Sequence, residues 1–242
     1  MVVYVKKVYN STQQNPSKMK KIILSLSIIA MATLSANAQI KFGIKGGLNA
    51  ANIIGDHSLN ADESGNSDNL QYTTRIGYNF GAFVNLPIKG KFSLQPEVMY
   101  SLQGANYKIT NTDDLGDVSS STGHLNLSYI QVPVLAKFTF GHKFYLQTGP
   151  QFGFLTSAKD KFDGGSDDVK SSFQSFDFAW GVGIGYTMPM GLGFDFRYNF
   201  GITAIDKNNE DNDGGDGLDL KDHNSNLQLG VLYQFGGNHD DE

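Results

Sequence analysis

Eight segments of the chain alternate, residue by residue, between large apolar side chains and small or polar ones. A period of two places successive side chains on opposite faces of a β-strand. The second face is rich in glycine, glutamine and asparagine, whereas a solvated strand usually carries lysine, glutamate and threonine. The alternation therefore predicts an all-β chain whose strands have one bulky apolar face and one small polar face. The predicted strands span 40–54, 73–87, 92–109, 125–140, 144–156, 173–188, 191–205 and 226–235.

The glycine content indicates how these strands are arranged. The chain has 28 glycines, and only 18% of its residues are charged, against about 25% in an average soluble domain. Glycine inside a strand marks a close backbone approach or strong curvature, and a narrow barrel lumen requires both. A soluble β-sandwich is the alternative, but its outer faces would carry more charge. We therefore predict an eight-stranded antiparallel up-and-down transmembrane β-barrel with its bulky face toward lipid.

The longest apolar run lies near the N-terminus. A basic start, a short apolar core and the small-residue sequence Ala-Asn-Ala at 36–38 are together typical of a secretory signal peptide. A transmembrane anchor is the alternative, but the core is shorter than the ~20 residues that a span needs. Translation could start at Met1 or at Met19. We predict three parts: residues 1–38, an N-terminal extension and signal peptide cleaved before Gln39; residues 39–235, the barrel; and residues 236–242, a polar tail.

Composition narrows the classes of partner. The predicted signal segment contains lysines but no acidic residue, so the mature chain is more acidic than the full sequence, whose net charge is −5. An acidic chain disfavours nucleic acid as a partner, because phosphate backbones need lysine and arginine patches. The absence of cysteine excludes disulfide bonds and thiolate metal sites.

The connections between predicted strands alternate in length. Short turns follow strands two, four and six, at 87–91, 141–143 and 188–191. Outer-membrane barrels have short periplasmic turns and longer extracellular loops. We therefore predict that both termini are periplasmic and that four acidic loops lie outside. The predicted long loops span 55–72, 110–124, 157–172 and 206–225.

The fourth predicted strand breaks the pattern. Ile130, Val132, Val134, Ala136 and Phe138 have even numbers, but Leu125, Leu127 and Tyr129 before them have odd numbers. A β-bulge, which inserts one extra residue, could account for this change of parity.

Seven ionisable residues fall on the small polar face and are expected in the lumen. Buried charges must be paired or hydrated, because desolvating one alone costs several kcal/mol. The lumen of an eight-stranded barrel is just wide enough for side chains. We therefore predict an interior salt-bridge plug in preference to a conducting pore. The predicted lumen charge cluster comprises Lys45, Arg75, Glu97, Lys137, Asp177, Asp195 and Arg197.

The last predicted strand carries the pattern polar-x-Gly-x-x-aromatic-x-aromatic. It resembles the C-terminal signal that the barrel assembly machinery reads, although one more alternating strand would look similar. The chain departs from that signal because residues 236–242 follow its last aromatic residue. The residues of the predicted assembly signal are Gln228, Gly230, Tyr233 and Phe235.

Residues 42–49 (FGIKGGLN), 94–101 (LQPEVMYS) and 129–134 (YIQVPV) resemble the outer-membrane β-barrel domain family that is often called porin-family or PorT-like. The resemblance covers essentially the whole mature chain. It implies an eight-stranded barrel in the cell outer membrane. It implies no particular activity, since the word porin in the family label is not evidence of a pore.

These observations favour a structural or surface-interaction role for a monomeric barrel. The expected partners are outer-membrane lipid and lipopolysaccharide, the barrel assembly machinery and an extracellular ligand at the acidic loops. A narrow porin-like channel or transporter of small solutes is the alternative. The acidic segment 206–222 resembles a calcium loop but lacks the full ligand spacing in every register, so no metal site is predicted and weak divalent binding stays open.

A lipid-modifying enzyme is the least favoured function. Such an enzyme needs a nucleophile with a base in reach, and no histidine lies on a predicted strand opposite an obvious serine. We therefore predict no catalytic residue and no cofactor. The histidines, all in predicted loops, turns or the tail, are His57, His124, His142, His223 and His239.

Overall fold

The computed structural model describes residues 40–55, 67–112, 117–141, 143–207 and 222–235. Within these ranges the chain forms nine β-strands and one turn of 3-10 helix at Lys170–Ser172, and none of its helical residues form a helix that is long and apolar enough to cross a membrane. The strands are β1 (Lys41–Ile54), β2 (Ser67–Lys89), β3 (Phe92–Thr112), β4 (Val118–Phe140), β5 (Phe144–Phe162), β6 (Gly165–Asp168), β7 (Phe176–Thr187), β8 (Leu192–Gly201) and β9 (His223–Gln234).

Eight of these strands close into a ring. β1 pairs antiparallel with both β2 and β9, and the antiparallel pairing continues through β3, β4, β5, β7 and β8. Closure leaves no open edge in the ring, which is the condition for a sheet to stand in lipid. The structure therefore confirms the predicted eight-stranded antiparallel barrel.

The ninth strand, β6, lies outside the ring. It pairs with the end of β5, where Phe162 faces Gly165 across a turn in which Gly164 has a φ of 105°. The prediction of a loop at 157–172 is therefore wrong in its first half, which is a β-hairpin. All four residues of β6 are exposed, so both faces meet water and the alternation that marks the other strands is lost.

Outward-facing side chains form an apolar belt around the barrel. Phe42 is 60% exposed and Ile76 is 66% exposed, although both lie inside regular strands. Aromatic rings in the belt meet across neighbouring strands, as Phe80 and Tyr100 do with centroids 5.4 Å apart. Such a surface would be a large exposed apolar patch in water, whereas in a bilayer it contacts acyl chains.

The two ends of the barrel differ. Tight turns join β2 to β3, β4 to β5 and β7 to β8, and in them Gly90, Gly141 and Gly191 have φ values of 56°, 57° and 92°. Residues with side chains rarely adopt this left-handed region, so glycine permits the short connections. Short turns mark the periplasmic end of outer-membrane barrels, and we therefore expect the opposite end to face outside.

Four neighbouring strands extend further at the outer end than the other four. β2, β3, β4 and β5 contain 23, 21, 23 and 19 residues, whereas β1, β7, β8 and β9 contain 14, 12, 10 and 12. Pairing of β3 with β4 continues without a shift to Thr112 opposite Val118. We call this extension the raised wall; it comprises residues 67–75, 103–112, 118–129 and 155–162.

A bulge in β4 does not account for the change of parity before Ile130. β4 alternates without a break, and three apolar residues before Ile130 point into the barrel with at most 6% exposure. The register shift at this height is in β5, where Thr156 is the extra residue between Leu155 and Ser157. The parity of these residues differs from the expected one because the lumen contents are apolar at this height. The three residues are Leu125, Leu127 and Tyr129.

Three predictions concern residues outside the described ranges. They are the signal peptide with its cleavage before Gln39, the polar tail at 236–242, and most of the acidic segment at 206–222. All three stay predictions.

Candidate functional site

An ion pair between Arg197 and Glu97 crosses the lumen. Nη1 of Arg197 donates to Oε2 of Glu97 at 3.0 Å, and Nη2 donates to Oε1 at 2.8 Å. Both side chains are buried. A bidentate pair of this kind holds the guanidinium and the carboxylate in one relative geometry. Since Glu97 lies on β3 and Arg197 on β8, the pair joins opposite walls of the ring.

A second ion pair, between Lys45 and Asp195, lies beside the first. Nζ of Lys45 is 2.6 Å from Oδ1 of Asp195, and Oδ2 of Asp195 is 3.5 Å from Nη2 of Arg197. Gln147 also donates its amide hydrogen to Oδ2 of Asp195. Asp195 therefore contacts two cations, and the two ion pairs form one connected group.

Lys137 of β4 reaches the same group through an amide. Its Nζ donates to Oε1 of Gln95 at 2.8 Å, and Nε2 of Gln95 donates to Oε1 of Glu97 at 2.8 Å. The same Nζ lies 3.6 Å from the centroid of the Tyr145 ring, within range of a cation–π interaction. The structure thus brings together five of the seven predicted charges. We call them the lumen ion network: Lys45, Glu97, Lys137, Asp195 and Arg197.

Asp177 lies apart from the lumen ion network, nearer the outer end of the barrel. It is buried, and its carboxylate accepts hydrogen bonds from Nδ2 of Asn224 at 2.9 Å and from Oγ1 of Thr203 at 3.2 Å. Within the described part of the chain, no lysine or arginine forms an ion pair with it. Neutral donors therefore satisfy this carboxylate.

Arg75 was predicted in the lumen charge cluster, but the structure does not bring it into the lumen ion network. It lines a depression together with Leu102 and Ser128, whose side chains have the outward parity of β3 and β4. The pairing of β2 with β3 shifts by one residue between Thr74 and Asn79. We attribute the separation of Arg75 from the lumen ion network to this irregularity, which the alternation of β2 does not reveal.

Three large side chains close the lumen at the short-turn end. Phe83, Tyr145 and Leu232 form a buried cluster, and each lies directly opposite a glycine of a neighbouring strand. A Cβ atom on Gly43 would lie 2.2 Å from the Phe83 ring, and one on Gly185 would lie 2.1 Å from the Tyr145 ring. Glycine thus makes room for each ring inside the narrow lumen. We call these three large residues the apolar floor.

A layer of amide and hydroxyl side chains lies on the other side of the lumen ion network. Nδ2 of Asn49 is 2.9 Å from Oγ of Ser101 and 3.0 Å from the carbonyl oxygen of Leu102. Asn79 donates to Oδ1 of Asn49, and Gln103 donates to Oγ of Ser101 at 3.1 Å. These bonds join β1, β2 and β3 from the inside.

Other amides in this layer are incompletely paired. Gln131, Gln151, Asn199 and Asn226 are buried, yet each has an amide atom that bonds to none of the residues whose placement is described. Buried amides almost always find a partner, either protein or ordered water. We therefore expect ordered water in the middle of the lumen.

Eight buried apolar residues fill the lumen at its outer end. Leu127 has no exposed surface and Ile205 is 1% exposed. Tyr129 forms the underside of this cluster, and its hydroxyl accepts a hydrogen bond from Asn224 at 3.2 Å. The unbroken odd-numbered parity from Leu125 to Lys137 is the sequence signal that could have revealed the cluster. We call it the apolar cap; it comprises Ile53, Ala105, Leu125, Leu127, Tyr129, Leu155, Ala158 and Ile205.

The predicted assembly signal lies on and just beyond β9. Gln228 is buried on the lumen side, and Gly230 has the same parity. Tyr233 and Phe235 face outward, and their ring centroids are 5.2 Å apart in an edge-to-face arrangement. Recognition of this strand by the assembly machinery stays a prediction.

Within the described ranges, no group of three histidine, aspartate or glutamate side chains is arranged to hold a metal ion. Nδ1 of His124 lies 2.9 Å from Oδ1 of Asn106, and Nδ1 of His223 lies 3.1 Å from the carbonyl oxygen of Thr203. Neither of these two contacts pairs a histidine with a serine hydroxyl. The other histidines lie outside the described residues.

Comparison with known proteins identifies a family. The outer membrane protein beta-barrel domain family matches residues 13–207. No curated protein matches the chain. Similar solved structures include Neisserial surface protein A (NspA; 15% identity, 80% of this chain and 97% of that one, TM-score 0.45), the attachment invasion locus protein Ail of Yersinia pestis (16%, 81% and 98%, 0.43) and OprG of Pseudomonas aeruginosa (12%, 81% and 95%, 0.38).

Proposed function

We propose that this chain, which belongs to the outer membrane protein beta-barrel domain family, is a structural or surface-interaction barrel whose lumen does not conduct. The chain is a protein of the cell outer membrane. The lumen ion network is the observation that carries the proposal. It joins opposite walls of the barrel and lies between the apolar floor and the apolar cap.

A solute crossing the barrel would have to break this network. Separating Arg197 from Glu97 leaves two buried charges without their partners. Breaking a buried pair in this way costs about 3–5 kcal/mol. The solute would also have to displace Leu127 from the cap and Phe83 from the floor, both of which are nearly fully buried. Three closures at different heights support a sealed lumen.

The raised wall supports a role at the cell surface. It carries four strands beyond the apolar belt on one side of the barrel only, and it ends in the exposed β5–β6 hairpin with Asp167 and Asp168. We propose that an extracellular ligand contacts this wall and the acidic loops around it. The proposal also includes a monomeric barrel. Its other proposed partners are outer-membrane lipid, lipopolysaccharide and the barrel assembly machinery.

A narrow channel for small solutes is the second candidate. The incompletely paired amides of Gln131, Gln151, Asn199 and Asn226 favour it, because they indicate a hydrated section of lumen. This section lies between the lumen ion network and the apolar cap, so hydration alone does not provide a continuous path. We do not propose an enzymatic activity; neither the family description nor the three similar structures names an enzyme.

Single-channel recording from the purified barrel in planar bilayers tests the proposal. We expect no stepwise conductance, with an open porin in the same bilayers as the positive control. Stepwise currents whose size changes in Glu97→Gln and Arg197→Gln, but not in the surface control Lys89→Gln, would establish the channel instead. Lys89 is the matched control because it is exposed next to a short turn, away from the lumen.

A further inference from the structure

Three cations cluster on the outer surface of the barrel, where the apolar belt meets the raised wall. Arg75 of β2 and Lys159 and Lys161 of β5 line one depression with a volume of about 420 Å³. β3 and β4, which lie between β2 and β5, form its base. We call this depression the lateral basic site. Its other lining residues are Tyr100, Leu102, Asn126, Ser128, Thr156 and Ser157.

No carboxylate with a described placement pairs with the cations of the lateral basic site. Among residues with a described placement, neither Arg75 nor the two lysines form an ion pair, and the enclosed Nε of Arg75 donates no hydrogen bond. Asp168 lies opposite Lys159 in the β5–β6 pairing but outside ion-pair distance. A fourth cation, Lys170, is adjacent, since its Nζ donates to the carbonyl oxygen of Thr156 at 2.9 Å. The site is therefore positive on an acidic chain.

The height of the site matches the headgroup region of a lipid leaflet. Toward the membrane centre its base continues into apolar belt residues, among them Phe80 and the half-exposed Val98. Within the site, the hydroxyl of Tyr100 is 3.1 Å from Oγ of Ser128. Tyrosines with an apolar ring and a polar tip mark membrane interfaces. A lipid with its acyl chains on the belt would therefore have its headgroup at the three cations.

We propose that the lateral basic site binds a phosphate group of an outer-leaflet glycolipid, namely lipopolysaccharide. The guanidinium of Arg75 presents a planar set of donors suited to phosphate, and the two lysines add mobile positive charge. The amide of Asn126 and the hydroxyls of Thr156 and Ser157 supply hydrogen bonds for sugar oxygens. The inference uses the membrane orientation of the proposed function but not the closed lumen, so conductance has no bearing on it.

Native mass spectrometry of the detergent-solubilised barrel with added lipid A tests this inference. We expect one bound lipid A per barrel. Basic residues at an anionic membrane surface contribute about 1 kcal/mol each, so Arg75→Gln/Lys159→Gln/Lys161→Gln is expected to bind about 100-fold more weakly, about five-fold per cation. All three residues lie on the surface, so the variant should fold, and its heat-modifiability on gels checks that it does.

Lys89→Gln/Lys91→Gln/Lys143→Gln is the matched control, because it removes three exposed lysines at the short-turn end. We expect this variant to bind lipid A like the parent. An equal loss in both variants would overturn the proposal in favour of non-specific charge attraction. Undiminished binding of dephosphorylated lipid A would also overturn it, and full displacement by inorganic phosphate would assign the site to free phosphate instead of lipid.

Discussion

Arg197 and Glu97 are 100 residues apart in the sequence and form a bidentate ion pair across the barrel, with nitrogen–oxygen distances of 2.8 and 3.0 Å. Their strands, β8 and β3, stand four positions apart in the ring, which is the largest separation that eight strands allow. The pair therefore acts as a transverse connection through the centre of the fold. Its loss should affect the whole barrel and not one pair of strands.

The two partners of this ion pair should differ in their effect on stability. Arg197→Met leaves two cations and two carboxylates in the lumen ion network, whereas Glu97→Leu leaves three cations and one carboxylate. We therefore expect the free energy of unfolding to fall by about 3 kcal/mol in the first variant and about 5 kcal/mol in the second. Urea unfolding in lipid vesicles, followed by the fluorescence of Trp180, measures both.

The double variant Glu97→Leu/Arg197→Met restores the charge balance of the parent network and leaves neither partner alone. It should recover most of the lost stability, since apolar replacement of both members of a buried pair is often neutral. Lys89→Met is the surface control. A double variant that loses as much as the two single variants together would show that the two residues are not coupled.

The eight strands could be predicted because a period of two is a local property of the sequence. The pairing inside the lumen could not, because it depends on how the ring is staggered. Lys45 of β1 meets Asp195 of β8 across the intervening β9, at the position of Gly230. A Cβ atom on Gly230 would lie 3.0 Å from Cε of Lys45 and 3.2 Å from Oδ1 of Asp195. No local pattern shows that this glycine makes room for an ion pair.

Local sequence patterns also failed to predict side-chain positions where the chemistry of a strand face changes along the barrel axis. Leu127 has the parity of the lumen but the chemistry of the lipid face, and its burial in the apolar cap reflects a change from polar to apolar lumen contents. Arg75 shows the reverse error: it has the chemistry of the lumen but lines the outer lateral basic site. The two errors have different causes. At Leu127 the alternation indicates the correct face but not what surrounds that face, whereas near Arg75 the register shift between β2 and β3 interrupts the alternation itself.

Two adjacent glycines of β1 should respond differently to substitution by alanine. A Cβ atom on Gly47 would lie 2.2 Å from the carbonyl oxygen of Leu229, whereas one on Gly46 would lie no closer than 3.6 Å to its nearest neighbour, the carbonyl oxygen of Asn79. We expect Gly47→Ala to lower the free energy of unfolding by about 2 kcal/mol, because the backbone of β9 must shift. Gly46→Ala is the matched control and should change it by less than about 0.5 kcal/mol.

Urea unfolding in vesicles gives both values for the glycine variants. Equal stability of Gly47→Ala and Gly46→Ala would contradict the close approach of β1 and β9. The two variants are well matched because Gly46 and Gly47 are neighbours in one strand and differ in the face that they occupy.

The outward aromatic pair at the end of β9 should matter for assembly more than for stability. If the barrel assembly machinery reads this strand, Tyr233→Ala and Phe235→Ala should lower the amount of folded protein in the outer membrane severalfold. Spontaneous folding of the same variants into lipid vesicles should change little, because both rings are exposed to lipid. Phe194→Ala removes a similarly exposed ring from the neighbouring strand β8 and is the matched control. An equal decrease of folded protein in all three variants would contradict a specific assembly signal. It would show instead that assembly requires aromatic residues anywhere in the belt.

The raised wall contains a tyrosine whose titration reports on its packing. The hydroxyl of Tyr107 lies 2.9 and 3.0 Å from the two carboxylate oxygens of Asp160, beyond the membrane-spanning part of β3. Burial and this hydrogen bond raise the pKa of Tyr107 to about 12, from an ordinary value of about 10. The folded state therefore holds this proton more tightly than the unfolded state does.

The sign of the resulting pH dependence follows from that difference. A raised pKa contributes stability that is fully present below about pH 10, where both states are protonated, and is lost as the pH rises toward about 12. We expect Tyr107→Phe to remove this loss between pH 10 and 12 and to remove one phenol of pKa about 12 from the phenolate absorbance titration. Asp160→Asn keeps a hydrogen-bond acceptor but removes the negative charge, so it should move the pKa of Tyr107 back toward about 10. A difference titration between the parent and Tyr107→Phe that is centred near pH 10 would show that Tyr107 is not held by Asp160.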